Sequence, residues 1–464
     1  MIYIIIGVVL VLILIMRNTA TPASHDYTAS FGKLSDHLSH WNKGFAIGPL
    51  AFTRQLSCTN FFVAGPTGSG KSTVITIPCA VSLSRGKSSI IFNDVSGELW
   101  ERTSSFLARK GYKVLRIDFS NSSYSETFNP LLECKSISDI QKLALIIIQN
   151  SIGESKSDPF WENSSVMLLS LFARYLVFYM EPQFRTLQNL QRLIEKFAVD
   201  GEAVDKLIVA TKDESLLSMY KSTIVMGDRT LQSVIATART ALHLFNDPEV
   251  CKTTSSNSID LTILRQVPVA IYVCNPLKDL RYFKPLSALF FQHLFNHTLS
   301  RLPGKREREI FFVLDEFASM KFPDIAVTIS NIRKYKAGLL LCMQDEMSLI
   351  ARYGQADAHQ IKTNCGIQCY LKGEPIHTCK ELSQIFGKYS YLDDKGTSRT
   401  RELMTPDEIR TTDAALVLVN NQPPLKLDTP RPYYKSLWLR HLAIAKPYNL
   451  EKKSVTEPPL IQFK

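Results

Sequence analysis

The sequence predicts an α/β fold with a parallel sheet, an inserted block of helices and one N-terminal transmembrane helix. Strand-like and helix-like segments alternate on both sides of residues 135–250, which is typical of a parallel sheet with helices on both faces. Within residues 135–250 the apolar residues recur every three or four positions, and this spacing favours helices. Residues 1–18 form a run dominated by apolar residues at the start of the chain.

The N-terminal run predicts a membrane anchor. Residues 2–16 carry no charge, and Arg17 is the first charged residue. The run is short for a bilayer, which needs about 17–25 residues, but Met1 and residues 18–21 lengthen it. No basic residue precedes it, which disfavours a cleaved signal peptide, and a buried core helix fits poorly with so apolar a segment. Because the positive charge follows the run, we expect a single-pass anchor over residues 1–18 with the bulk of the chain in the cytoplasm.

Length and charge limit the possible architectures and partners. The 464 residues suggest two domains, or one large domain with an insertion. The formal net charge is +11, from 54 Lys and Arg against 43 Asp and Glu. This excess favours anionic partners such as nucleic acid or acidic lipid, although it also fits a role in solubility alone.

The cysteines indicate a reducing compartment. There are nine, with no CxxC pair, which is typical of free thiols rather than a disulfide framework. Cys365, Cys369, His377 and Cys379 lie close enough in sequence to suggest a metal site. However, "GIQCYLKG" has the pattern of a strand and "HTCKELSQIFG" that of a helix, so the four side chains need not converge.

The alternation of elements begins early in the chain. Residues 56–86 have the pattern of a strand, a glycine-rich turn and a helix. The β-branched run "SSIIFNDVSGELW" predicts a second strand, "ERTSSFLARKG" a helix that stops at glycine, and "YKVLRIDFS" a third strand.

The strand pattern resumes after the helical block, with "PVAIYVCNP", "REIFFVLDEFAS", "AGLLLCMQDEM" and "GIQCYLKG". A last unit starts a helix at Thr-Pro-Asp-Glu and then continues as a strand. The predicted division is therefore a sheet-containing part over residues 19–134 and 251–445, an all-α insertion over 135–250, and a loose C-terminal tail over 446–464.

The stretch "GPTGSGKS" carries the strongest chemical signal. It matches GxxxxGK[ST] in full, after a predicted strand and before a predicted helix. Glycines let backbone N–H groups curl around phosphate oxygens, and the helix N-terminus adds its positive dipole end. Lys71 is placed to reach the β- and γ-phosphates, and the Ser72 hydroxyl to bind Mg²⁺. A chance glycine-rich turn is the competing interpretation. The predicted phosphate-binding residues are Gly65, Pro66, Thr67, Gly68, Ser69, Gly70, Lys71, Ser72 and Thr73.

Four more residues are candidates for catalysis. Asp315 and Glu316 follow an apolar strand, where Asp315 is expected to hold Mg²⁺ through water and Glu316 to orient or deprotonate the attacking water. Such pairs also occur as ordinary helix starts. Gln344 ends the next strand and is placed to sense the γ-phosphate. Arg333 falls on a predicted helix, either as an arginine that completes a neighbouring subunit's site or as part of a solvated basic face.

The order of motifs resembles a known family, the type IV secretion coupling proteins, which are membrane-anchored DNA-pump ATPases of bacterial conjugation. The resemblance runs from about Gly48 to about Tyr434. After "GPTGSGKS", the series continues with "DVSGEL", "FNPL", "DPFW", "LDEFASM", "CMQDEMSL", "TNCG" and "ELMTPDEI".

The resemblance implies a RecA-like nucleotide-binding domain with an inserted all-α domain, assembled as a ring of six in the bacterial inner membrane. It implies ATP and Mg²⁺ as cofactors. The implied partners are DNA, expected as a single strand, a relaxase or relaxosome or an effector protein, and the secretion channel. By the family's roles, Lys71 and Ser72 bind phosphate and Mg²⁺, and Asp315 and Glu316 are the acidic pair. Gln344 is the sensor and Arg333 the arginine finger.

The chain departs from the family pattern at three points. Many members have two transmembrane segments, whereas this sequence predicts one. The family's D-P-K-G-E is here Asp94-Val95-Ser96-Gly97-Glu98, which lacks the lysine. The tail is short and nearly neutral, whereas some relatives end in a long acidic tail. These differences affect docking to the channel and the cargo more than the ATPase.

Three functions fit these observations. The favoured one is an inner-membrane ATPase that moves a DNA–relaxase complex, or protein cargo, into a type IV secretion channel. The second is an ATPase for assembly or effector export that never touches DNA, which the positive charge disfavours. The third is a docking platform gated by nucleotide with little turnover, which the presence of Glu316 and Lys71 disfavours.

Overall fold

The computed structural model describes residues 27–151, 159–274 and 277–463. The anchor predicted over residues 1–18 lies outside this range, as does Asp158 of the "DPFW" motif. Within the described residues, no helix combines the length and the apolar character needed to cross a membrane.

A nine-stranded mixed sheet forms the centre of the molecule, in the order β13-β12-β9-β3-β8-β7-β4-β6-β5. Its strands from β9 to β5 run parallel to one another, and β12 and β13 extend the β9 edge antiparallel. Two small antiparallel pairs, β1–β2 and β10–β11, lie outside it. The strands are β1 Ala46–Ile47, β2 Leu50–Ala51, β3 Phe61–Ala64, β4 Ser89–Asp94, β5 Lys113–Ile117, β6 Val269–Cys274, β7 Ile310–Leu314, β8 Ala337–Met343, β9 Ile367–Tyr370, β10 Lys388–Leu392, β11 Ser398–Glu402, β12 Ala415–Val419 and β13 Leu425–Leu427.

Helices connect the parallel strands, and only helices occur among the described residues between β5 and β6. These are α4 to α10, so the helical pattern predicted there is present, while the division of the chain into domains stays a prediction. The helices are α1 Arg54–Ser57, α2 Ile77–Arg85, α3 Glu98–Arg109, α4 Ile137–Ser151, α5 Pro159–Tyr179, α6 Leu187–Val199, α7 Gly201–Ala210, α8 Glu214–Ile224, α9 Asp228–Leu242, α10 Pro248–Thr253, α11 Leu280–Leu299, α12 Ile325–Asn331, α13 Glu346–Tyr353, α14 Gln355–Thr363, α15 Ile376–Phe386 and α16 Pro406–Thr411.

Both faces of the sheet are buried, which explains why its central strands are apolar without alternation. Side chains along a strand point alternately to the two faces. In β3, Phe62 packs with the core that includes α4 to α11, whereas Phe61 and Val63 pack with the core that includes α2 and α3. The helices between β5 and β6 therefore share a continuous apolar core with one face of the sheet.

The C-terminal tail has no regular secondary structure, yet its last residues are docked on α6. The side-chain amide of Asn189 donates to the Pro459 carbonyl and accepts from the Ile461 backbone N–H. The Ile461 side chain is buried, and the guanidinium of Arg192 lies over the Phe463 ring. This differs from the expectation of a loose tail over residues 446–464. The expectation was wrong because the apolar residues of the tail have partners far away in sequence.

Candidate nucleotide-binding site

The glycine-rich loop lies at the carboxyl end of β3, between the neighbouring strands β8 and β9. It leads into a π-helical turn, Lys71–Thr76, which continues as α2. Gly68 and Gly70 have φ angles of +82° and +95°, a left-handed conformation that glycine adopts without strain. The loop therefore curls back over the start of its helix, as phosphate binding requires.

The residues predicted to act on the nucleotide converge in one cleft of about 460 Å³ at this edge of the sheet. Lys71 lines this cleft and donates hydrogen bonds to the carbonyl oxygens of Gly65, at 2.5 Å, and Pro66, at 3.3 Å. The residues that line the cleft are Pro66, Thr67, Gly68, Gly70, Lys71, Ser72, Thr73, Val95, Ser96, Glu98, Leu280, Asp315, Glu316 and Gln344.

Asp315 and Glu316 enter the cleft directly after β7. Burial raises the pKa of Asp315 to about 6, although the nearby Lys71 ammonium favours the ionised form. Burial also raises the pKa of Glu316, again opposed by Lys71. Burial thus favours the protonated forms of the two acids, whereas the charge of Lys71 favours their ionised forms.

The donor set fits a magnesium ion brought by a nucleotide. The Oδ1 atom of Asp315 is buried and forms no hydrogen bond within the described residues, so it has a free acceptor. The same residues include no group of three or more His, Cys, Asp or Glu side chains that could hold a metal by themselves. Mg²⁺ commonly binds one or two protein oxygens, several waters and substrate phosphates, and Ser72 and Asp315 would supply such a site.

Gln344 and Arg333 have different positions relative to the cleft. Gln344 is the first residue after β8 and lines the cleft, where it was predicted to lie. Arg333 precedes β8 and is exposed, on a 3₁₀ turn over Ile332–Tyr335 that follows α12. The seven residues of β8 separate the two side chains by about 20 Å along the strand. Within one subunit, Arg333 is therefore not part of the cleft.

Asp94, at the end of β4, caps a helix beside the cleft. Its carboxylate accepts hydrogen bonds from the backbone N–H groups of Leu99, at 3.3 Å, and Trp100, at 2.7 Å. These are N–H groups of the first turn of α3, which have no partner within the helix. Burial raises the pKa of Asp94 to about 7, opposed by the two N–H groups and reinforced by Asp315. The cap aims α3, and with it Glu98, at the cleft.

Glu374 was missed by the sequence analysis. Only 4% of this residue is exposed, and neither carboxylate oxygen forms a hydrogen bond within the described part of the chain. The loop that carries Glu374 packs on the glycine-rich loop. The approach is so close that a Cβ added to Gly373 would lie 3.0 Å from Pro66 Cγ. Burial raises the pKa of Glu374 to about 8, and the Asp345 charge adds to the effect while Lys71 opposes it. Nothing in the local sequence marks this residue.

A buried lysine lies behind Glu374. The side chain of Lys362 on α14 is almost fully buried and forms ion pairs with Glu346 on α13, at 2.6 Å, and Glu381 on α15, at 2.8 Å. Three helices are thus joined through one ammonium group. Because Glu346 lies two residues after Gln344, the network is connected to the cleft through this residue.

The nine cysteines are all buried free thiols. Burial raises the pKa of Cys365 and Cys369 above the ordinary range of thiols. Such thiols are inert neutral groups in an apolar setting.

Comparison with known proteins supports a single family. A family model described as "Type IV secretory system Conjugative DNA transfer" matches residues 33–457. The chain is 26% identical to protein VirD4 of Rhizobium rhizogenes, with 89% of this chain and 66% of that protein covered. It is also 26% identical to protein VirD4 of Rhizobium radiobacter, with 86% and 61% covered. The chain thus spans slightly less than two thirds of the length of these curated relatives.

Solved structures show the same fold. The plasmid coupling protein TrwB with the ATP analogue ADPNP superposes with a TM-score of 0.67 at 17% identity, over 84% of this chain and 91% of that chain. TrwB with ADP and Mg²⁺ superposes with a TM-score of 0.66 at 17% identity, over 87% and 92%. At this identity the likeness establishes the α/β fold with its central mixed sheet.

Proposed function

Because the chain belongs to the type IV secretory system conjugative DNA transfer family, we propose that it is an ATPase that powers cargo entry into a type IV secretion channel. The cargo is a DNA–relaxase complex or a protein. The observation that carries the proposal is the cleft itself, in which Lys71, Asp315, Glu316 and Gln344 meet at the carboxyl edge of a parallel sheet.

ATP and Mg²⁺ are the cofactors proposed for this cleft. TrwB has been solved with ADPNP and with ADP and Mg²⁺, and the present chain shares its fold. The free Oδ1 of Asp315 and the position of Ser72 support the same metal here. When bound, the ion would neutralise charge that develops on the phosphate oxygens during transfer.

Each side chain of the cleft has a role in this proposal. Lys71 leaves the Gly65 carbonyl and donates to phosphate oxygens, which have a higher negative charge than a carbonyl. Glu316 orients the attacking water and takes its proton, for which a raised pKa is suitable. Asp315 would hold the metal ion through water with its free Oδ1 atom. Gln344 detects the γ-phosphate from the end of β8.

The proposed assembly is a ring of six subunits around DNA, expected as a single strand. In such a ring Arg333 would complete the site of a neighbour, since it is too far from the cleft of its own subunit. Residues 1–18 would anchor the ring in the bacterial inner membrane by a single pass. The RecA-like part, over residues 19–134 and 251–445, would hold the nucleotide, and the all-α insertion over 135–250 would contribute to recognition of the relaxosome or effector.

The test is ATP turnover by the full chain in detergent, with and without single-stranded DNA, beside a Lys71→Ala control. Stimulation by DNA that decreases as salt rises is the expected result, because phosphate contacts release counterions. Turnover that is indifferent to DNA would instead support an assembly or export ATPase. Binding of ATP without any turnover would support a docking platform.

A further inference from the structure

A second cleft, of about 280 Å³, lies along α2, which lines it from Pro78 to Arg85. Two indoles line it, those of Trp41 and Trp438, and they are 83% and 75% exposed. Most large aromatic side chains in this chain are buried, so two exposed tryptophans beside one cavity are unusual. The other apolar walls include Pro78, Phe106 and Leu439.

The cleft is lined by basic and neutral groups, with no carboxylate among its lining residues. The Arg85 guanidinium is held in place because it donates to the backbone carbonyls of His40 and Asn42. The ammonium of Lys110 lies 5.7 Å from the centre of the Phe106 ring. Both cations are therefore positioned by the protein itself.

The segment that carries Trp438 extends this charge pattern. Residues 429–450 contain no Asp or Glu, whereas they include four cations at Arg431, Lys435, Arg440 and Lys446. The charged side chains of this segment are therefore all positive. A segment of this kind attracts polyanions.

We propose that the cleft between Trp41 and Trp438 binds a base of single-stranded nucleic acid, with the adjoining phosphates against Arg85 and Lys110. Exposed indoles stack on any base, and fixed cations follow the backbone. A duplex is a poor ligand, because its bases are already stacked on one another. A lipid surface also fits poorly, since insertion into a flat bilayer needs projecting side chains, and these indoles line a concave cavity.

The proposed site is separate from the nucleotide cleft. The two clefts share no lining residue, and Lys71 and Arg85 lie at opposite ends of a helical run that is about 20 Å long at 1.5 Å per residue. The inference rests on the proposed function, in that it assigns a place on the chain to the nucleic acid that the ATPase is proposed to move. Loss of an indole should leave the chemistry at Lys71 intact.

The experiment measures binding of a fluorescent thymidine oligonucleotide to the full chain in detergent. Trp41→Ala and Trp438→Ala should each weaken binding about fivefold to one-hundredfold, with ATP turnover in the absence of DNA unchanged. Trp41→Phe should retain part of the affinity, because phenylalanine also stacks. Phe178→Ala, which removes an exposed aromatic side chain from α5, should bind like the unmodified chain.

Three outcomes would overturn the proposal, and they differ in their meaning. If the unmodified chain binds the oligonucleotide and both alanine variants bind it equally well, this site is wrong while the proposed function survives. If the unmodified chain fails to bind the oligonucleotide, this site and the DNA cargo of the proposed function both fail, and only protein cargo remains. Vesicles of anionic lipid serve as a competing probe, and a loss of binding in the variants that is limited to vesicles would assign the cleft to lipid instead.

Discussion

The ammonium group of Lys71 donates a hydrogen bond to the carbonyl oxygen of Gly65, the first residue of its own loop, at 2.5 Å. Lys71 thus satisfies a carbonyl group of the loop, and it would give up this hydrogen bond when it binds a phosphate. The exchange is favourable because a charged acceptor forms a stronger hydrogen bond with an ammonium group than a neutral carbonyl does.

Replacement of Lys71 by alanine should abolish nucleotide binding and lower ATP turnover about one-hundredfold or more, because a charged donor to the phosphates is lost. Equilibrium binding of a fluorescent ATP analogue and release of phosphate measure the two effects. Lys206→Ala, which removes an exposed lysine from α7, is the matched control and should leave both values unchanged. Tight binding by the Lys71 variant would contradict the role of this residue.

Replacement of Glu316 by glutamine should separate binding from chemistry. The amide keeps the size of the side chain but cannot take a proton, so we expect ATP and Mg²⁺ to bind normally while turnover falls about one-hundredfold to ten-thousandfold. Glu101→Gln, on the exposed side of α3, serves as the control. Equal turnover in the variant and the unmodified chain would remove Glu316 from the mechanism.

Replacement of Arg333 by alanine should preserve nucleotide binding and abolish turnover. The reason is geometric, because Arg333 lies at the amino end of β8, far from the cleft of its own subunit, so the proposed role requires a neighbouring subunit. Lys334→Ala removes the adjacent exposed cation and should turn over normally. Mixing the Arg333→Ala and Lys71→Ala chains should partly restore turnover if sites are shared between subunits. Normal hydrolysis by Arg333→Ala alone would refute the arginine finger.

Replacement of Glu374 by glutamine should change how stability depends on pH. The pKa of Glu374 is raised to about 8 by burial, with Asp345 and Glu346 raising it and Lys71 and Lys362 lowering it. Between about pH 5 and pH 8 the unfolded chain has lost this proton while the folded chain retains it, so the stability of the native protein falls as pH rises.

The glutamine variant has no such proton. Its free energy of unfolding should therefore match that of the unmodified chain near pH 5 and exceed it near pH 8, with a difference that grows by up to about 1.4 kcal/mol for each pH unit. Thermal unfolding at several pH values measures the difference. Glu202→Gln, on α7, should follow the unmodified chain throughout. A difference that stays constant with pH would mean that Glu374 ionises normally.

The sequence predicted the parts of the site that depend on neighbouring residues. The glycine-rich loop, the Asp315–Glu316 pair and Gln344 each follow an apolar strand, and the carboxyl ends of parallel strands lie at one edge of a sheet. Glu374 could not be found in this way, because its contact with Pro66 depends on β9 being placed next to β3. Arg333 was predicted to lie on a helix and instead lies on a 3₁₀ turn. The basic residues next to it fit either structure, so they do not distinguish the two.

Distant partners also explain the tail. The last residues of the chain belong to a short tail that contains proline, so local pattern indicated a loose end. Asn189 and Arg192 hold them through groups that no local pattern reveals, since the two segments are about 270 residues apart.

The docked tail decides what a label at the C-terminus would report. The backbone of Tyr448 donates to Ser104 on α3, whereas Ile461 is held on α6. A fluorophore attached next to Ile461 would therefore move with the helices between β5 and β6. A second dye on α3 would lie beside Tyr448, at the other end of the docked tail. Energy transfer between the two dyes would report any rotation of these helices relative to the sheet during turnover. Neither dye requires an insertion into the helices or the sheet.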